Sequence, residues 1–489
     1  MANTKSSKQG RTPIALSMLG LLLTLTTKGA QPAGDYEIDH SIISSEIADN
    51  AVLLRERALL DNLSVDIVES LTTEVGPRRI GTDGDKRVIA WSQAKFRELG
   101  FDRVWTEEVI LERGWTRGEA RAEILSPYPH TIVMTALGYS VGTDGDLVGE
   151  LVEFKSLEEL EAVPEGDSLK GKIAFVSYSM RDFVPEPGQS EFAGYGLGTR
   201  ARGRGHVVAA KRGAEAIIIR SVGTDNNRYA HTGSGYGYVD SVKKIPAAAV
   251  SAPDAILIQN MLKRGQPVTM KMNLTSEITG PEKSANIIGE ITGREGSDSY
   301  LVLGAHVDSW DEGTGAIDDG AGVASMMAAA ALIGQMEQRP RRSIRVLLFA
   351  GEEIGFYGVN VYMEQHKDDI GEHLLGAEVD GGGGRIHTLT SGVGEQSVSV
   401  VHEMYKLIAP LGIAWSDSND ARGASDISEL SKAGMPVLDF SQNSNDYFDY
   451  HHTPNDTFDK IIPEDMRYLT AAYATIFYMA AEMDVDFRK

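Results

Sequence analysis

Several apolar runs in the C-terminal part of the chain end in side chains that bind metals or move protons. Run 301–305 leads into His306-Val307-Asp308, run 345–351 into Glu352-Glu353, and run 375–379 into Asp380 and four glycines. In His306-Val307-Asp308 an extended backbone points both polar side chains the same way. A histidine that ligates a metal through one ring nitrogen needs a partner for its other N–H, and Asp308 is placed to serve. Glu352 and Glu353 are adjacent carboxylates at the end of an apolar run, where they repel each other and lose hydration. Cations relieve that cost, and the pair then divides into one metal ligand and one general base. Asp318-Asp319 lies among small residues just before an Ala- and Met-rich stretch. Such a pair suits a helix N-cap, and its small neighbours also let a metal approach the backbone. His451-His452 stands in the polar run Tyr-His-His-Thr-Pro-Asn-Asp-Thr. Together His306, Asp318, Glu353, Asp380 and His452 form a mixed nitrogen and oxygen donor set suited to zinc, with no thiolate required.

These groups act together only if the fold gathers them. From residue 284 onward the pattern is strand, loop, helix, with near-continuous apolar strands at 300–303, 344–349, 375–379 and 437–440 and a helix at 323–336. That rhythm predicts a parallel sheet buried on both faces. In such a sheet, ligands bind at the carboxyl ends of the strands, where these runs terminate. The start of the chain reads as helices at 43–63, 64–75 and 83–99 and a strand at 104–111. Between about 127 and 278 short β-rich runs separated by glycines suggest an inserted small domain, with a helix at 205–212. The Gly-Tyr-Gly-Leu-Gly run there follows no clear strand and does not support nucleotide binding. The expected organisation is a leader at 1–30, an N-terminal part of the main domain at 40–126, the insert at 127–278, and the remainder of the main domain at 279–489.

Composition narrows the class. The net charge of −23 argues against nucleic acid as a partner, since phosphate binding needs clustered Lys and Arg. Lys5, Lys8 and Arg11, the apolar run 14–25 and small residues near Ala30 follow the order of a secretory signal, so export outside the cell or to the periplasm is expected. That run is shorter than the ~20 residues that span a bilayer, and no membrane span is expected once it is removed. With no Cys in the chain, no disulfide contributes.

In order and spacing these motifs resemble the co-catalytic zinc aminopeptidase-like metallopeptidases: His306-x-Asp308, Asp318-Asp319-x-Ala-Gly, Glu352-Glu353-x-Gly, Asp380, and His452-Thr-x-x-Asp-Thr. Leu71-Thr72 through Gly76-Pro77-Arg78 to Gly81-Thr82 resembles that family's N-terminal motif, and the insert resembles a protease-associated domain. The double histidine and the insert look most like the plasma glutamate carboxypeptidase (carboxypeptidase Q) branch. The resemblance implies a mixed, largely parallel sheet sandwiched by helices and two zinc ions per chain, with a homodimer left open. It implies that His306 and Asp380 bind one ion, Glu353 and His452 the other, and that Asp318 bridges them. It makes Asp308 the orienting residue and Glu352 the base for hydrolysis of small peptides. Where some relatives carry a Tyr before the last ligand, this chain has His451. A non-catalytic binding protein on the same scaffold, and a di-zinc amidohydrolase or cyclase, are the competing expectations. Asp319 and Asp426 are the candidates to receive a substrate amine, and Arg385 or Arg422 a substrate carboxylate.

Overall fold

The computed structural model describes residues 36–182, 192–235, 241–444 and 446–489; the expected leader lies outside them. The first helix, Ser45–Leu60, starts where the Ser44 hydroxyl accepts the Ile47 N–H. The helix Leu63–Ser70 runs into a wider turn, Leu71–Val75, and stops at Gly76, whose φ of 71° suits a residue without a Cβ. The third helix, Asp83–Glu98, is capped by Thr82 and carries acids in its first turn and Lys95 and Arg97 in its last, matching the helix dipole.

The main sheet has eight strands. Its central strands, Ser343–Phe349, Tyr300–His306, His373–Glu378 and Val437–Gln442, run parallel. Arg103–Leu111 and Glu282–Ile291 join antiparallel at one side, and Ile386–Gly392 and Ala414–Trp415 complete the other. Alternation explains the unbroken apolar runs. Leu301, Leu303 and Ala305 enter one core with the helices Ala321–Gly334 and Pro463–Glu482, while Tyr300 and Val302 pack on the opposite face with Leu347, Phe349, Tyr362 and Leu430. Each large side chain so buried contributes about 1.5–3 kcal/mol. The stretch Ala316–Gly334 is long and apolar enough to cross a membrane, contrary to the expectation that no segment beyond the leader is, yet it is wholly buried in the core. A Cβ at Gly322, in its helix, would stand 2.3 Å from Asp319 and 2.5 Å from the Val379 carbonyl oxygen, so only glycine lets this helix approach the strand ends.

A second eight-stranded sheet occupies the middle of the chain. Its strands Leu147–Phe154, Lys172–Val176, Ala216–Arg220 and Ala247–Val250 are parallel neighbours. This sheet begins earlier than residue 127: Ala120–Ser126 pairs antiparallel with Thr269–Leu274 and belongs to it. A strand of that length carries no mark of which sheet it joins. A second departure is the helix Phe192–Ala210, which takes in the glycine-rich run 194–205 expected to be a separator. Gly198 and Gly205 lie two turns apart on one face, and a Cβ at each would meet Val222 at 2.7 Å and Ile217 at 2.8 Å. Close packing on the sheet therefore outweighs the poor helix propensity of glycine.

Candidate metal centre

Strand register brings the chemistry together. His306 pairs with Phe349 and Gly304 with Glu378, so His306, Glu352-Glu353 and Asp380 leave the sheet at one edge. Asp318 stands between two groups of candidate ligands. Its Oδ1 is 3.1 Å from His306 Nε2, which is also 3.4 Å from Asp380 Oδ1. Its Oδ2 is 3.3 Å from His452 Nε2, which lies 2.8 Å from Glu353 Oε2. Each oxygen of one buried carboxylate thus faces a separate histidine–acid pair.

Both histidines have the right nitrogen turned inward. His306 Nδ1 is 3.1 Å from the Asp308 carbonyl oxygen, and donation there leaves Nε2 as the nitrogen that would ligate a metal in place of its proton. The Asp308 carboxylate is farther, at 3.7 Å. Its Oδ1 instead accepts the N–H groups of Gly351 and Glu352 at 2.8 and 3.2 Å, so Asp308 orients His306 through its backbone and anchors the Glu352 turn through its side chain. His452 Nδ1 lies 3.3 Å from the Thr232 carbonyl oxygen, with Arg202 Nη1 at the same distance. His452 has φ 61°, a left-handed conformation costing on the order of 1–3 kcal/mol outside glycine. Contacts from the second sheet hold it there: Thr232 N–H donates to the His452 carbonyl at 2.9 Å, and His231 Nδ1 to the His451 carbonyl at 2.8 Å. Asp225 grips the other nitrogen of His231 at 2.6 Å.

Two further residues fix the Asp318 loop. Asp456, the acid of the His-Thr-x-x-Asp motif, accepts the N–H groups of Ala316 and Ile317 at 2.7 and 2.8 Å. Arg78, fully buried, spreads its guanidinium over the carbonyls of Val307, Thr314 and Gly315 at 2.7–2.9 Å. Arg78 and Asp456 stood in sequence motifs without a role; the roles of Asp225 and His231 had no sequence signal beyond residue type.

Burial and crowding of negative charge govern the protonation of this cluster. Burial disfavours a charged His306, but hydrogen bonds to Asp308, Asp318 and Asp380 outweigh it and raise its pKa well above the ordinary value. Burial also opposes ionisation of Asp318, yet His306 and His452 hold its pKa well below the usual carboxylate range. Burial pushes Glu352 up to about 8, with Asp380 and Glu353 adding to the effect and His306 opposing it. Glu353 is raised well above its usual value by burial and by Asp318. Asp318 Oδ2 and Glu353 Oε1 are buried without a hydrogen-bond partner. Orphaned carboxylate oxygens beside inward-facing imidazole nitrogens are the donor set a pair of divalent cations satisfies.

The cluster opens into a cavity of about 650 Å³ lined by Asp318, Glu352, Glu353, Asp380, His451 and His452 on one side. Tyr195, Thr199, Arg202 and Ser234 from the second sheet's unit line the other. Arg202 Nη2 donates to the Tyr195 hydroxyl at 2.8 Å, which lies 3.4 Å from His451 Nε2. His451 stacks on His452 with ring centroids 3.5 Å apart. The candidates for gripping a substrate end are corrected here. Asp319 and Asp426 are both fully buried and do not line the cavity. Asp319 accepts the Gly322 N–H at 3.0 Å at the start of the core helix, and burial raises the pKa of both acids well above normal. Arg385 is bound by Asp465 and Glu464, both at 2.6 Å, and Arg422 is exposed; neither reaches the cavity. Arg202 is the cation that does among the described residues. It was missed because its glycine-rich surroundings read as a loop.

A parallel α/β edge carrying two histidine–acid pairs around a shared aspartate defines a co-catalytic metallohydrolase. Residues 286–476 match the model of peptidase family M28. Carboxypeptidase Q of Mus musculus is 30% identical over 450 residues, covering 92% of each chain. The crystal structure of a peptidase M28 precursor from Shewanella amazonensis SB2B is 44% identical, covers 91% of this chain and 98% of that one, and superposes with a TM-score of 0.86. A zinc aminopeptidase from Bacillus subtilis shares the fold at 18% identity, with a TM-score of 0.59 over 87% of this chain and 96% of that one. The chain belongs to peptidase family M28 and is a zinc-dependent exopeptidase acting on peptides.

Proposed function

We propose that the protein removes residues from the carboxyl end of small peptides, as a dipeptidase-type carboxypeptidase. In this proposal His306 and Asp380 hold one zinc ion, Glu353 and His452 the other, and Asp318 is common to both. Asp318 carries the assignment, because its two oxygens face the two histidine–acid pairs separately. When bound, zinc supplies an acidified water and a polarised scissile carbonyl. Glu352 is the general base. The Ser425 hydroxyl donates to its Oε1 at 2.8 Å, leaving Oε2 to take the proton of the attacking water and return it to the departing amine. Tyr195 from the facing wall, and His451 beside His452, supply donors for the carbonyl oxygen.

The Arg202 guanidinium, whose planar fork matches a carboxylate, receives the free C-terminus. The mouse relative, carboxypeptidase Q, is named for that choice of end. We further read residues 120–274 as a protease-associated-like insert that completes the cavity, and the basic and apolar N-terminal pattern as an export signal. The deciding experiment uses zinc-loaded protein on unblocked, N-acetylated and C-amidated dipeptides. C-amidation is expected to cost at least ~10² in kcat/KM, since an Arg–carboxylate pair left unmatched costs several kcal/mol, and Arg202→Gln is expected to remove the preference. Equal cleavage of amidated peptide, with acetylation abolishing turnover, refutes carboxylate recognition.

A further inference from the structure

The second sheet has a crevice of its own. At the carboxyl ends of its parallel strands Leu147–Phe154, Lys172–Val176 and Ala216–Arg220 lies a cavity of about 430 Å³, lined by Lys155, Ser177, Ser179, Asp182, Arg220 and Gln259. Open α/β sheets bind ligands at this edge. Residues of the metal centre do not line it.

Arg220 is the feature without a structural explanation. It closes its strand, is only 8% exposed, and among the described residues its side chain has neither an ion pair nor a hydrogen bond. Two other buried arginines, Arg78 and Arg212, each spread over three backbone carbonyls. The charges facing Arg220 do not satisfy it. Asp182, exposed on the rim, attracts it from beyond ion-pair distance, Arg181 repels it, and Asp225 is committed to His231. Glu153, on the strand that precedes Lys155, is consumed by Lys155, Ser177 and Gln259. A second polar group is orphaned beside it: the Ser179 hydroxyl is buried without a partner. Burial lowers the pKa of Arg220 from the ordinary arginine value, as expected for a cation with no counter-charge in contact.

We infer that this cavity is a second binding site, for the oxyanion of a small acid, a carboxylate or a phosphate, held by the Arg220 fork and the Ser179 hydroxyl. The fork donates two parallel N–H groups to such an anion, which gives both charge and orientation. Lys155, at the mouth and 61% exposed, adds positive charge on approach. The site is independent of the catalytic reading and does not rest on Arg202 or on zinc.

The test is isothermal titration of the zinc-loaded full chain with sodium sulfate, at ionic strength held constant with chloride. One saturable sulfate per chain is expected, bound at least tenfold more weakly by Arg220→Gln and by Ser179→Ala. The serine variant carries the test if Arg220→Gln does not fold. Displacement of sulfate by succinate identifies a carboxylate ligand, and displacement by inorganic phosphate a phosphorylated one. Absence of saturable uptake, unchanged uptake in both variants, uptake that disappears when zinc is chelated, or failure of both competitors to displace sulfate overturns the inference.

Discussion

Replacing Glu352 by Gln removes one proton site and little else. The amide is nearly isosteric, and its oxygen still accepts the Ser425 hydroxyl that now lies 2.8 Å from Oε1. Neither oxygen of Glu352 belongs to the histidine–acid pairs around Asp318. Zinc content is therefore expected to equal that of the wild type. The loss should fall on kcat, because one carboxylate serves the attack and then the departure of the amine. General acid–base catalysis is worth roughly 10²–10⁴. With both steps affected the upper end applies, about 10⁴ or near 5.5 kcal/mol of barrier. Burial, Asp380 and Glu353 all disfavour the charged form of Glu352, so an uncharged amide in Glu352→Gln should be no less stable than the wild type. The assay is steady-state hydrolysis of an unblocked dipeptide, with zinc measured on the same samples and thermal unfolding as a control for folding. A kcat within tenfold of the wild type, at two zinc ions per chain, refutes Glu352 as the base. Loss of activity in step with loss of zinc refutes the separation of base from ligands.

Two other perturbations test how the site is held. His231→Ala withdraws the donor to the His451 carbonyl and strands buried Asp225, so zinc affinity at the His452 side should fall ~10–100-fold, with His231→Asn recovering part of it; unchanged zinc binding in the alanine variant contradicts the proposed clamp. His373 sits fully buried between the Tyr300 and Tyr362 hydroxyls, each 2.9 Å from Nε2, and burial lowers its pKa to about 4. A histidine whose folded pKa lies below its unfolded value of 6.5 costs stability as pH falls through that window, so the wild type should lose up to ~3 kcal/mol more than His373→Gln between pH 7 and 4; parallel urea-unfolding profiles of the two proteins refute this.

The sequence by itself picked out the five candidate ligands, the parallel sheet beneath them and the ends of most strands. These follow from local rules: apolar runs such as 344–349 fill a sheet buried on both faces, and His306, Glu353 and Asp380 sit at run ends where such a sheet presents its edge. The position of Asp318 between the pairs was implied by family resemblance, but only the fold turned its Oδ1 toward His306 and its Oδ2 toward His452. The fold also decided which charges meet the substrate. Asp319, Asp426 and Arg385 have side chains as suitable as that of Arg202, yet the first two are sealed behind the wall and the third is held by surface acids. Arg202 reaches the cavity because a glycine-rich helix packs flat on the second sheet, and because that sheet docks on the His451-His452 turn. The docking contacts join residues 220–250 positions apart in the chain. Periodicity and spacing report what a residue does with its neighbours along the chain; which distant charge shares its cavity is fixed by packing alone.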